Sequence, residues 1–204
     1  MQVNLKTEHP LTDVKSATGK TWEEWFSILD KRGGIAKGRR DIGNFLYVEC
    51  KVDPWWSATI NVQYEAAREA VEKDGRPKGY MICVTKTIAA PVDKAYEAWT
   101  TAEGLNEWFS KKNNAEVADG GSYSNADGDK GVFKRVRKNK DLRFTWENPA
   151  HTSPTQVDVV FQDKGKGKTG VMITHDRIQK REEADGLREG WAQALDRLKT
   201  LLEG

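Results

Sequence analysis

Of the three histidines in this chain, only His175 stands where its chemistry has a use. It follows Val171 and Ile173 at alternate positions, so on a strand the three share one face and the imidazole looks toward an apolar interior. A neutral imidazole there could hydrogen-bond a ligand, or act as acid or base near neutral pH. The competing expectation is a satisfied structural histidine at a strand end. Large aromatics accompany it. Trp108 and Phe109 follow a short helical stretch and are expected to sit exposed at a cavity mouth, where they either contact a ligand or plug the end of the core. Leu142, Phe144 and Trp146 alternate on another strand, and Trp191 lies on the last helix, so these side chains are expected to share the interior. His9 and His151 fall in loops and have no partners by spacing.

Other chemistries find no support. Three scattered histidines, no HExxH and no cysteine cluster leave no metal site to assemble, and nothing resembles a nucleophile elbow. No catalytic residue, metal or cofactor is therefore assigned. Gly165 to Gly170 fits GxGxxG, but it joins two strand patterns and opens no helix, so the dinucleotide mechanism fails. Thr18-Gly19-Lys20-Thr21 ends like a phosphate loop, yet Val14 occupies the place of its first glycine. Glu182, Glu183, Asp185 and Glu189 read as the solvated first turns of the last helix, which its dipole favours.

The charge balance narrows the partners. Lys plus Arg is 33 and Asp plus Glu is 31 in 204 residues, and the parts on either side of residue 78 are each close to neutral. Bulk polyanion binding, nucleic acid included, is not expected. Lys134, Arg135, Arg137, Lys138, Lys140 and Arg143 do cluster around one hairpin, which reads as a sheet edge protected by charge. No apolar run approaches the ~20 residues of a membrane span, and the N-terminus lacks a signal peptide's apolar core, so the expected compartment is the cytoplasm. Cys50 and Cys83 are expected to be buried, reduced thiols.

The elements that must position these residues fall into two groups. Residues 1–20 are polar and aperiodic and read as a tail. Thr21 opens a helix with a capping box, Trp22, Trp25, Phe26 and Leu29 lie on one face, and Gly33-Gly34 ends it. A second helix is expected from about Gly38 to Cys50. A third starts at Asp53-Pro54 and turns Trp56, Ile60, Tyr64, Ala67 and Val71 inward. Together they make a three-helix bundle over 21–73, with 74–79 as a linker. From Tyr80 the period changes to two: a strand, two short helices carrying Tyr96 and Trp99, five further strand patterns, and a helix over about 184–202. That helix places Leu187, Trp191, Ala194, Leu195, Leu198 and Leu201 on one stripe.

The ordered set Ala90-Pro91-Val92, Ala98-Trp99-Thr100, Trp108-Phe109, Gly120-Gly121-x-Tyr123, Leu142-x-Phe144-Thr145-Trp146, Thr174-His175 and Gly190-Trp191-x-x-x-Leu195-x-x-Leu198 resembles the family of activator of heat-shock-protein-90 ATPase homologues. That family belongs to the START-like, or SRPBCC, superfamily. The resemblance covers residues 80–204, with a hairpin at 121–131 that looks trimmed. Residues 18–70 resemble a small helical domain of unknown function. The resemblance implies an α+β helix-grip fold, in which a curved antiparallel sheet holds a long C-terminal helix around an apolar cavity. It also implies a hydrophobic ligand, lipid- or polyketide-like, with Trp108, Phe109, Phe144, Trp146, His175, Leu187, Trp191 and Leu195 as candidate contacts. Members also include cyclases and hydratases, for which His175 would be the acid or base, and co-chaperones, so a protein partner stays open; fold alone does not choose.

Overall fold

The computed structural model describes residues 7–152 and 154–204. It divides into two compact units, Thr7–Tyr80 and Met81–Gly204. The first six residues of the expected tail lie outside the described residues.

In the first unit the rest of the expected tail is folded. A 3₁₀ turn, Leu11–Asp13, leads into α1, Val14–Thr18. Val14 is buried in the unit's core, and Thr18 Oγ1 accepts a hydrogen bond from Trp25 Nε1 at 2.8 Å. A buried indole needs an acceptor, and this polar segment supplies it. Helix α2, Trp22–Lys31, has the expected capping box: Glu24 N donates to Thr21 Oγ1 at 3.3 Å and Thr21 N to the Glu24 carboxylate at 2.7 Å. The expected second helix is α3, Arg39–Asn44, continued by a wider π-helical turn over Phe45–Glu49 that leaves Tyr47 and Val48 exposed.

Helix α4, Pro54–Ala67, is capped by Asp53, whose carboxylate accepts from Trp55 N and Trp56 N. It buries Trp56, Ile60 and Tyr64 as expected. Ala67 and Val71 do not follow them inward. The helix ends at Ala67, Glu69 turns the chain with a φ of 52°, and Val71, 53% exposed, bridges to Pro77 instead. Once the helix stops, its 3.6-residue phase no longer decides which side chain is buried.

The second unit is a seven-stranded sheet with three helices. Its elements are β1 (Tyr80–Ile88), α5 (Val92–Thr100), α6 (Ala102–Trp108), β2 (Asn114–Ala115), β3 (Ser122–Ser124), β4 (Lys130–Arg137), β5 (Asp141–Trp146), β6 (Thr155–Gly165), β7 (Lys168–Ile178) and α7 (Arg181–Glu203). The strand order is β1-β7-β6-β5-β4-β3-β2, and the hairpin-linked pairs are antiparallel. Register aligns Phe144, Val157 and His175 across β5, β6 and β7, and Leu142, Val159 and Ile173 in the next row. All six are buried, so one face of the sheet is the core. Helix α7, about 30 Å or more at 1.5 Å per residue, turns Leu187, Trp191, Ala194, Leu195 and Leu198 to that core. Arg197 Nε donates to Trp108 O at 2.8 Å and fixes α7 to the end of α6. At the β4–β5 crossing a Cβ on Gly131 would stand 1.8 Å from Thr145 O, so only glycine permits this approach.

Four expectations about this unit change. Helix α7 starts at Arg181, which puts Glu183 in phase with Leu187 and Trp191. Its carboxylate is therefore buried, accepting from Thr152 N at 3.1 Å and Thr152 Oγ1 at 2.5 Å, while Asp185 is buried against Arg181 at 2.7 Å. Leu201, in the last turn of α7, is 37% exposed. Cys83 shares the outer face of β1 with Met81 and is exposed, and Cys50 is half-buried. The basic hairpin is a sheet edge only in part: β3 covers Lys130–Val132 of β4, and the charged end from Lys134 to Arg137 lies beyond it. Asp141 and Asp158 supply the missing acids: Arg135 and Arg137 pair with Asp141, and Arg143 with Asp158 at 2.7 Å. Burial alone would raise the Asp141 carboxyl, but Arg137 and Arg135 outweigh it and hold it below the usual carboxylate range.

Candidate functional site

Within the second unit a narrow, partly open cavity lies between α5, α6, the concave sheet face and α7. Sheet parity builds one wall: Leu142, Phe144 and Trp146 from β5, beside Phe133 and Tyr123. Trp99 from α5, Phe109 at the end of α6 and Trp191 from α7 build the other. Their rings stack, Phe109 on Trp191 at 5.5 Å and 13°, and Trp191 on Trp99 at 6.0 Å and 21°. Among the described residues no charged side chain lines the cavity. Asn113 lines it too, but its Nδ2 already donates to Asn106 Oδ1 and to Ser110 O.

The candidate residues divide into two layers. Phe109, Phe144, Trp146 and Trp191 line the cavity. Trp108, His175, Leu187 and Leu195 stand outside its wall and are buried. Trp108 was expected at an exposed mouth, but it is 2% exposed and its Nε1 donates to Ala98 O at 2.9 Å, which ties α6 onto α5. An indole with an internal carbonyl in reach closes a helix pair rather than facing solvent. Leu187 and Leu195, one turn to either side of Trp191, anchor α7 to the core.

His175 is 0% exposed and both its ring nitrogens are taken. Trp191 Nε1 stands 3.0 Å from Nδ1, and an indole nitrogen can only donate, so Nδ1 is the acceptor and carries no proton. The neutral ring must then hold its proton on Nε2, which donates to Thr155 Oγ1 at 2.7 Å. Thr155 in turn donates to Trp146 O at 3.1 Å. The result is a one-way chain, Trp191 to His175 to Thr155 to the β5 backbone, with each donor matched to an acceptor. Burial pushes the His175 pKa well below 6.5, with His151 adding to the effect. Protonation would set two donors face to face at Nδ1. The geometry makes His175 a structural tie between α7 and the sheet and leaves it no free nitrogen for acid–base work.

Sequence reasoning missed Trp99, Leu105 and the Asn113–Ala115 segment as cavity walls. Leu142 was available from its parity with Phe144. Trp99 could have been found on the α5 face it shares with Tyr96. The loop residues carried no periodic signal.

A curved sheet wrapped around a long C-terminal helix, with short helices between its first two strands, defines a helix-grip protein. Residues 89–203 match the family described as "Activator of Hsp90 ATPase homolog 1-like protein", and the chain belongs to that family. No curated protein matches it. Among solved structures, CalU16 from Micromonospora echinospora is similar with a TM-score of 0.55 and 21% identity, over 60% of this chain and 75% of that one. PFC0360w, an HSP90 activator from Plasmodium falciparum, gives 0.53 and 21%, over 61% and 96%. DynU16, from the dynemicin biosynthetic locus, gives 0.54 and 25%, over 60% of this chain but only 47% of its own. Likeness at this level of identity carries the fold.

Proposed function

We propose that residues 80–204 form a binding domain that holds a hydrophobic small molecule, lipid- or polyketide-like, without transforming it. The reading gives 21–73 to a helical domain, 74–79 to a linker, and the whole chain to the cytoplasm. The observation that carries it is the cavity wall itself, aromatic and, among the described residues, uncharged, with stacked rings in it. Such a wall gives affinity through apolar burial, at about 25 cal/mol per Å² removed from water. Phe109, Phe144, Trp146 and Trp191 are its contacts in this reading; Trp108, His175, Leu187 and Leu195 hold them in place from behind. The occupation of both His175 nitrogens favours binding over cyclase or hydratase chemistry. The similarity to DynU16, from a biosynthetic locus, fits a small-molecule role. Among the described residues no helix is long and apolar enough to cross a membrane, so a freely diffusing carrier fits as well.

Native mass spectrometry of the protein purified from its own host tests this. An apolar compound should co-purify and be released on unfolding. A protein that emerges empty, and takes up none of a panel of apolar compounds, overturns the reading.

A further inference from the structure

The outer face of the sheet, opposite the cavity, carries an excess of positive charge that the small-molecule reading leaves unused. Strand parity puts Arg135, Arg143 and Asp158 in one outward row, and Arg137, Asp141, Val160 and Met172 in the next. The β4–β5 and β6–β7 hairpins close at the same end of the sheet, where Phe161 N donates to Lys140 O at 2.8 Å. Residues 134–143 and 158–168 hold nine basic side chains against three acidic ones, whereas the whole chain has 33 against 31, so the rest of the chain is net acidic. The acids lie underneath: Arg137 and Arg143 are 57% and 40% exposed, above Asp141 and Asp158 at 6% and 15%. Arg135 reaches both carboxylates, so three guanidinium groups share two acids. Asp119 also approaches the hairpin, accepting from Val136 N at 2.6 Å. Among the described residues Lys134, Lys138, Lys140, Lys166 and Lys168 are exposed and form no ion pair. Edge protection accounts for the charges of β4 beyond β3. It does not account for Arg143 or for the lysines of the β6–β7 hairpin, which belong to strands with a neighbour on either side.

We propose that this face docks an acidic segment of a partner protein, a run of Asp and Glu interrupted by apolar residues. The face already holds carboxylates through arginine, at 2.6 Å between Arg135 and Asp141 and 2.7 Å between Arg143 and Asp158. Arg143 engages only its Nε among the described residues, which leaves its two terminal nitrogens to donate to an incoming acid. Beside the arginines Val160 is half-buried and Met172 exposed, so an apolar side chain set among the acids has a floor to cover. A phosphate backbone has no such group, and the two outward rows hold no aromatic ring on which a base could stack. A bilayer fits less well, because the turns Lys138-Asn139-Lys140 and Gly165-Lys166-Gly167-Lys168 carry no large apolar side chain to enter it. The site shares no residue with the cavity wall, so it stands or falls apart from the small-molecule reading.

Isothermal titration calorimetry of the full chain with a synthetic peptide of Glu-Asp-Leu repeats, and with its Glu-Asp-Ser counterpart, tests this. The leucine peptide should bind, and should weaken roughly tenfold between about 50 and 300 mM salt, as expected of exposed charge pairs. The serine peptide should bind about fivefold less tightly, because it leaves Val160 and Met172 uncovered. Reversing three lysines together, Lys138→Glu, Lys140→Glu and Lys166→Glu, should weaken both peptides roughly tenfold or more. The same charge change placed elsewhere, Lys37→Glu, Lys73→Glu and Lys180→Glu, should leave both within about twofold of the wild type. Met172→Ser should remove the advantage of leucine over serine, and all these side chains are exposed, so circular dichroism should report an unchanged fold. Failure of the leucine peptide to bind overturns the proposal. So do equal losses in the two triple variants, which would trace the attraction to net charge, and equal affinities for the two peptides, which would reduce it to attraction of any polyanion. Tighter binding to phosphatidylserine vesicles or to a DNA duplex than to the leucine peptide would assign the face to a different class of partner and overturn it as well.

Discussion

The core of the N-terminal unit and the cavity of the helix-grip unit are built from the same side chains and end differently. In the first, Trp25 donates to Thr18 and Tyr64 to Asp30 at 2.5 Å. Burial, reinforced by the Asp30 carboxylate, pushes the Tyr64 hydroxyl up to about 12, so it stays a donor through the physiological range. In the second, Trp99 and Trp146 are as buried and, among the described residues, have no acceptor. Burial alone does not distinguish a finished core from a binding site; the state of the polar atoms on its aromatic rings does.

That contrast can be broken by substitution. The largest effect belongs to the finished core: Trp25→Ala removes a fully packed ring and its hydrogen bond, and should cost roughly 3–5 kcal/mol in chemical denaturation of the first unit. Loss under 1 kcal/mol would mean the core is looser than its packing implies. At the closed edge of the cavity, Thr155→Val leaves His175 Nε2–H buried without an acceptor, and should cost about 1–3 kcal/mol while sparing the secondary structure seen by circular dichroism.

Acid gives a third measure. His175 has a folded pKa well below 6.5, so the unfolded chain binds the extra proton. The stability that comes from keeping the ring neutral is present above pH 6.5 and declines as pH falls below that value, by up to about 1.4 kcal/mol per pH unit, until the folded pKa is reached. Urea midpoints between pH 7.5 and 5 should fall accordingly, and His175→Gln should flatten that slope. An unchanged slope in the variant would assign the effect to other groups. The smallest cost is expected at the mouth. Phe109 is half-buried, so Phe109→Ala should cost about 1 kcal/mol and weaken the retention of apolar compounds by removing the ring stacked on Trp191. An Ala variant as costly as that of Trp25 would place Phe109 in the core instead.

Much of this architecture is local and was legible as such. The α2 capping box, the Asp53-Pro54 start of α4 and the alternation of Leu142, Phe144 and Trp146 depend on residues within a turn or a strand of one another. The failures have physical causes of the same scale. The helical spacing of α4 continues to Val71, but a positive φ at Glu69 ends the helix first, and Glu183 is buried because α7 begins at Arg181, three residues before its apolar stripe. Asp141 and Asp158, which pair with Arg135, Arg137 and Arg143 of the basic hairpin, lie on β5 and β6.

The sequence by itself determined the periodicities, the order of elements and the family, because these are set by short-range sterics and by where apolar side chains recur. Only the tertiary structure decided which aromatic rings would find a hydrogen-bond partner. Trp191 reaches His175 because α7 is laid over β7, and Trp108 reaches Ala98 because α6 folds back on α5. No local pattern separates those indoles from Trp99 and Trp146, since a partner for a buried donor is fixed by the packing of elements distant in the chain.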